Sequence, residues 1–406
     1  MYLTTEERQM LDGAQGGATQ KAMQILVALG TIYGAERLLR VSSVQIAGVS
    51  YDNLGEAGLQ FLDEMAAGGG KARVLATLNP AGMDIENWPA LGILPDFAEK
   101  QRRVIEAFQR MGVITTCSCT PYLAGNLPLF GEHIAWSESS AVCYANAVLG
   151  ARTNREGGPS ALAAALTGHT PAYGFHLDEA RCPALTVEVR AHLRETSDFG
   201  ALGKVIGDQL ERAGIEPRLP YLCGEGLSYP GAITLETLKS LCASLATYGG
   251  VAMFHIEGVT PEAYRHTPPV ERLVVGQAEL EQALHEMSDA GPDEADFFSL
   301  GCPHLSLREL ARLAELLQGK RVRGEFWVTT SRPVKQIAER MGYAQVIEAA
   351  GAKIAADTCC VVAPIKGRFH TLVTDSAKAC YYAAGKRKFK TLILPFDEVV
   401  RRAVGE

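Results

Sequence analysis

The sequence contains no CxxC pair, no Walker A, HExxH or GxSxG motif and no clear GxGxxG segment. A zinc ribbon, a thioredoxin-like site, a P-loop nucleotide site, a zincin and an α/β-hydrolase therefore have no support. Long apolar runs are also lacking. The most apolar early stretch, Ala22 to Gly34, is short and is broken by Gln24 and Gly30. It cannot span a bilayer. The opening MYLTTEERQMLDG is polar and acidic, which is not the pattern of a signal peptide. Basic charge is not in excess: 39 Lys and Arg stand against 46 Asp and Glu, for a net charge of -7. That balance argues against nucleic-acid and membrane-surface partners. The expected location is cytoplasmic, a reducing compartment in which ten cysteines are not a disulfide framework.

What the chain does have is the make-up of a large globular enzyme, 47% hydrophobic and 21% charged over 406 residues. That length predicts more than one domain. Strand-like runs alternate with helical patterns, as in Val44–Ala47 before a helix over 55–66, and Arg73–Thr77 before one over 95–111. Val113–Thr116 then leads into a cysteine loop. The second half repeats the rhythm with strands at Val251–Ile256, Leu273–Val275, Phe297–Leu300 and Phe326–Thr330. A β-then-α order predicts an α/β fold of parallel sheets covered by helices, with loops at the strand carboxyl ends forming the site. The polar stretch near 191–200 suggests a division into an N-terminal region, 1–195, and a C-terminal region, 196–406. Residues 119–160, rich in Gly, Pro, Asn and Ser, read as site-forming loops, with a helix over 138–150 capped by Ser137.

The cysteines divide into two groups. Cys143, Cys242 and Cys380 lie in Ala- and Leu-rich helical patterns and read as small buried hydrophobes. Cys182 and Cys223 have no context that argues for chemistry. Cys119, Cys302 and Cys359 each lie beside structure-breaking residues: Pro121, Pro303 and Asp357-Thr358. Three thiolates projected from three turns suit an iron-sulfur cluster with one iron left open, a Lewis acid for removing a hydroxyl. Cys117 and Cys360 are neighbours within two of these loops. On an extended segment Cys117 and Cys119 point the same way, so spacing does not choose between them.

Polar loops supply candidate substrate contacts. Gly48-Val49-Ser50 and Asn79-Pro80 each follow a strand, and their N–H groups and side chains can hold an anion. Arg155 either clamps an anionic group or pairs with Glu156. Glu138 and Ser139 stand at a helix start, as catalytic or binding groups or as caps. Lys378, near another helix start, is an anion ligand or a solvated charge. His304, beside Cys302, is a proton shuttle or a capping residue.

The segments YLTTEERQMLDG, QIAGVSYDNLGEAGL, TLNPAGMD, CTPYLAGN, FGEHIAWSESSAV, ARTNREGGPSALAAALTG, GCPH and DTCCVVAPI, in this order, resemble the aconitase X family over essentially the whole chain. The resemblance implies an aconitase-like fold of several α/β domains and a hydro-lyase activity. It implies a metal centre on Cys119, Cys302 and Cys359, expected as a 4Fe-4S cluster, with a 2Fe-2S cluster or a single iron as alternatives. Gly48, Val49, Ser50, Asn79, Pro80, Glu138, Ser139 and Lys378 become the implied contacts of a small anionic substrate. That substrate is expected to be 5-phosphomevalonate, with cis-3-hydroxy-L-proline second. The resemblance also implies a small swivelling partner subunit carrying a catalytic serine, since the chain ends at Glu406 after KTLILPFDEVVRRAVGE without room for that domain. An electron-transfer iron-sulfur protein is the reading of another class, and a fourth thiol at the cluster would favour it.

Overall fold

The computed structural model describes residues 1–228, 231–291 and 294–406. Three parallel sheets organise it. The first runs in the order Leu75–Leu78, Ser43–Ile46, Ala135–Trp136. The second is His255–Ile256, Pro220–Cys223, Leu185–Val189, Arg272–Val275. The third is Lys353–Ala356, Glu325–Thr330, Phe297–Leu305, Thr371–Thr374, Lys390–Ile393. A short antiparallel pair, Leu38–Arg40 with His169–Pro171, stands apart. The α/β expectation holds, and the interior strands Ser43–Ile46, Leu185–Val189 and Thr371–Thr374 are buried on both faces, as helix-covered parallel sheets require.

Helix formation follows local chemistry. The helix Leu307–Leu317 carries a capping box, with Ser306 accepting from the Glu309 N–H and Glu309 accepting from the Ser306 N–H. Its Leu310, Leu313 and Leu317 face the third sheet's core at helical spacing. Pro95 opens Pro95–Arg110, where the missing N–H costs nothing, and Val104, Ile105 and Phe108 anchor that helix in the first core. Another core joins the first and third sheets, packing Met83, Leu91 and Ile93 with Phe297, Trp327 and Cys360.

Some local expectations fail for identifiable reasons. Val113–Thr116 is not a strand and makes one bridge, Thr77 with Ile114. Of Val251–Ile256 only His255–Ile256 pairs. The helix expected over 138–150 is an α-helix at Ser139–Tyr144 followed by a wider π turn at Ala145–Leu149. Its N-cap is Glu138 and not Ser137, and the Glu138 carboxylate is engaged elsewhere.

Two buried histidines make the fold acid-sensitive. Burial, then the neighbouring His133, holds the His176 pKa down to about 3, and burial holds His255 down to about 4. In the unfolded chain both sit near 6.5. The unfolded state therefore binds more protons as pH falls below about 6.5, so stability is full above that value and declines on the way down. His255 Nε2 donates to the Arg181 carbonyl at 2.9 Å, a bond a glutamine amide can imitate. His255→Gln is expected to flatten the fall of the unfolding free energy between about pH 6.5 and 4, by at most about 1.4 kcal/mol per pH unit. A slope equal to that of the unmodified chain would show that His255 is not one of the titrating groups.

Candidate metal and substrate site

The loops after the strands of the first and third sheets meet around one cavity of about 330 Å³. From the first sheet come Gly48, Asn79-Pro80, and Glu138 with Ser139. Cys359 and Lys378 arrive from the segments after strands of the third, and Cys302 from within the strand Phe297–Leu305, at the irregularity between Leu300 and Leu305 where a loop was expected. Cys119 completes the wall, on a loop pinned by the Ser118 N–H to the Leu78 carbonyl at 2.9 Å. Nine of the residues singled out from the sequence thus share one cavity, most of them at strand carboxyl ends as the topology predicts.

The three thiols share the cavity wall, Cys119 and Cys359 buried and Cys302 half-buried. Burial raises the Cys119 pKa to about 12, with the charges of Glu138 and Cys359 adding to it. Burial also pushes Cys302 well up, with Cys359 the next contributor, and raises Cys359. The backbone N–H of His304 donates to Cys119 Sγ at 3.2 Å, the kind of bond that tunes a ligating sulfur. Among the described residues no three His, Cys, Asp or Glu side chains form a ready site for a single ion. Thiols from three separate loops around one cavity, with an N–H already aimed at one sulfur, fit a cluster held through separate irons.

Cys117 does not compete with Cys119. Its φ of 43° turns the chain into the left-handed region, so the segment is not extended and the two side chains do not point the same way. Cys117 is fully buried in the first core, and Cys360 is buried beside Phe297 and Trp327. Neither lines the cavity.

His304 is a brace between loops. Its ring is fully buried and does not line the cavity. Nε2 donates to the Thr358 carbonyl at 3.0 Å, so Nδ1 accepts from Ser118 Oγ at 3.2 Å. One residue of the Cys302 loop therefore ties down the Cys119 and Cys359 loops. Burial holds its pKa down to about 4, which keeps the ring neutral. The shuttle role considered from sequence does not match this placement.

The second loop depends on Gly301, whose φ is 106° and where an added Cβ would lie 2.1 Å from the Thr329 carbonyl oxygen. Only glycine fits such a conformation and approach. Gly301→Ala is expected to cost at least about 1–3 kcal/mol and to displace Cys302. The iron-to-chain ratio after anaerobic reconstitution should fall below half that of the unmodified chain. An unchanged ratio would show that the loop tolerates the shift.

A buried ion pair forms the anion-facing wall. Lys378 Nζ contacts Glu138 Oε1 and donates to Ser140 Oγ at 3.2 Å. Asn79 Nδ2 donates to Glu138 Oε2 at 2.7 Å and Ser140 Oγ to Oε1 at 2.8 Å. Burial works against both charges, yet Lys378 holds the Glu138 pKa below its usual range and Glu138 holds that of Lys378 above its own. Val49 and Ser50 lie just behind the wall. Ser50 Oγ donates to the Val362 carbonyl at 3.0 Å, joining its loop to that of Cys359. Arg155 is exposed and outside the cavity, while Glu156 bonds Ser160 and Thr170 and not Arg155.

Several residues were not singled out from the sequence. Gln45, fully buried in mid-strand, donates to the Ser118 carbonyl at 3.0 Å and accepts from the Glu138 N–H at 3.2 Å. A lone amide inside an apolar strand was the available signal. Arg332 spans Asp84 and Asp357 and so fixes the turn before Cys359. Asn53, Tyr382 and Lys386 also line the cavity.

Models of the first, second and third aconitase X domains match residues 1–179, 183–285 and 295–405. A phosphomevalonate dehydratase large subunit of Methanocaldococcus jannaschii is 45% identical over 99% of this chain and 100% of that protein. One from Methanothermobacter thermautotrophicus is 46% identical over 95% and 94%. A cis-3-hydroxy-L-proline dehydratase of Pseudomonas aeruginosa is 34% identical over 93% of this chain but 66% of that longer protein. The crystal structure of Thermococcus kodakaraensis aconitase X, in its holo-form, superposes with a TM-score of 0.90 at 42% identity, covering 99% and 100% of the two chains.

Proposed function

Because the chain belongs to the aconitase X family, we propose that it is the large subunit of a hydro-lyase that dehydrates 5-phosphomevalonate. The observation that carries this reading is the single cavity shared by three thiols and an anion-facing wall, in a chain about 45% identical to archaeal phosphomevalonate dehydratase large subunits. Cys119, Cys302 and Cys359 would hold an iron-sulfur cluster, of the 4Fe-4S kind. When bound, such a cluster supplies a Lewis-acid iron that helps a hydroxyl leave carbon. The remaining work falls to the protein. Gly48, Asn79 and Ser139 orient the substrate with hydrogen-bonding groups at the wall. Lys378 keeps Glu138 ionised and fixed, so that the pair presents a set pattern of donors.

The proton on the neighbouring carbon needs a base. Glu138 is the acidic side chain on the cavity wall, and it is held by Lys378, Asn79 and Ser140 with its pKa lowered. A carboxylate so stabilised is a poor base. A small swivelling subunit would therefore bring the base, a serine, and close the cavity against water. The name large subunit among the relatives supports a partner, as does the greater length of the hydroxyproline relative. An electron carrier is disfavoured because no fourth thiol lines the cavity among the described residues.

The substrate choice is tested by comparing kcat/KM for 5-phosphomevalonate and cis-3-hydroxy-L-proline, using the cluster-loaded chain with its small subunit. The expected preference for 5-phosphomevalonate is at least about 100-fold. Faster turnover of hydroxyproline would reverse the assignment.

A further inference from the structure

The cavity wall carries two lysines in different electrostatic settings. Lys378 is buried and its charge is matched one for one by Glu138. Lys386 lines the cavity beside Asn53 and Tyr382, and about a third of its side chain is exposed. It shares one carboxylate, Asp52, with Arg387, at 3.3 Å from Lys386 Nζ and 3.1 Å from Arg387 Nη1. Two cations against one anion leave a surplus positive charge at this end of the cavity.

The two cations divide their tasks. Arg387 is buried, and its Nη2 donates to the Val361 carbonyl in the Cys359 loop at 2.9 Å, so it is committed to the scaffold. The Lys386 ammonium is the one that lines the cavity, steadied by Asn53 Oδ1 and Asp52. Both stand on a π turn, Ala383–Arg387, a widened helical turn often found at functional sites. Burial, followed by the charge of Arg387, holds the Lys386 pKa below its usual value, so an incoming anion relieves a disfavoured charge.

We propose that Lys386 receives the phosphoryl group of the substrate, with Asp52 and Arg387 holding its ammonium in place. The inference rests on the phosphorylated-substrate reading above and assigns the specificity-determining contact within it. A dianionic phosphate needs a cation that no protein carboxylate fully neutralises, and Lys386 meets that need where Lys378 does not.

The test uses the cluster-loaded chain with its small subunit. Lys386→Gln should raise KM for 5-phosphomevalonate about 10–100-fold while kcat stays within about threefold. Lys390→Gln, which removes an equal charge from the surface, should leave both unchanged. A second readout does not depend on turnover: inorganic phosphate should raise the thermal midpoint of the unmodified chain and of Lys386→Arg, and raise that of Lys386→Gln much less. A KM within about twofold of the unmodified enzyme, or an intact phosphate response in Lys386→Gln, overturns the proposal. If the unmodified enzyme does not turn over 5-phosphomevalonate at all, the functional reading fails, and the phosphate titration still decides whether Lys386 binds a phosphoryl group.

Discussion

Replacing any one of Cys119, Cys302 or Cys359 with serine is expected to lower dehydration by about 1,000-fold or more. The three thiols line one cavity from three loops, and no fourth among the described residues can step in. A serine hydroxyl is a poor substitute for a thiolate at iron, and losing the Lewis acid forfeits several kcal/mol of leaving-group stabilisation. Cys117→Ser and Cys360→Ser supply the contrast. Both thiols are buried against apolar side chains, so their replacement should cost about 1–3 kcal/mol of stability and leave bound iron unchanged. Iron and sulfide content per chain, measured beside activity, separates the two groups. Full iron content in Cys302→Ser, or its loss in Cys117→Ser, would refute the assignment.

Lys378→Met is the second large effect. The substitution leaves Glu138 buried with Asn79 and Ser140 as its side-chain donors. An unpaired buried charge costs about 3–5 kcal/mol, so the thermal midpoint should fall and kcat/KM should drop by at least about 100-fold. Adding Glu138→Gln should recover most of the stability, because neither charge is then stranded, without recovering activity. That split is the signature of a pair that both holds the fold and presents the substrate wall. If the double variant regained activity with stability, the pair would be structural alone.

Much of the fold was legible because most site segments stand at or near the carboxyl end of a parallel strand and are marked by residues that stop regular structure. Gly48, Asn79-Pro80, Gly301 and Asp357 announced their loops in this way. The three domain matches extend the resemblance read from the motif order. What local pattern could not settle was backbone twist and long-range pairing. The choice between Cys117 and Cys119 rests on a positive φ at Cys117, which no spacing rule reveals. The brace at His304 depends on Ser118 and Thr358, far away in sequence, so its ring looked available for proton transfer. Arg155, in a Gly-rich loop, had the composition of an anion clamp but lies outside the cavity. Lys386 sits in the basic run GKRKFK, which reads as a solvated surface until a π turn carries it to the cavity wall.

In the proposed reaction this chain would supply the metal ligands and the substrate wall, and a small partner subunit would supply the base. The most direct measurement is anaerobic turnover of 5-phosphomevalonate by the cluster-loaded chain, alone and after adding the small subunit. Negligible water loss is expected from the chain alone, and full turnover once the subunit is present. Full-rate dehydration by the isolated chain would contradict this reading.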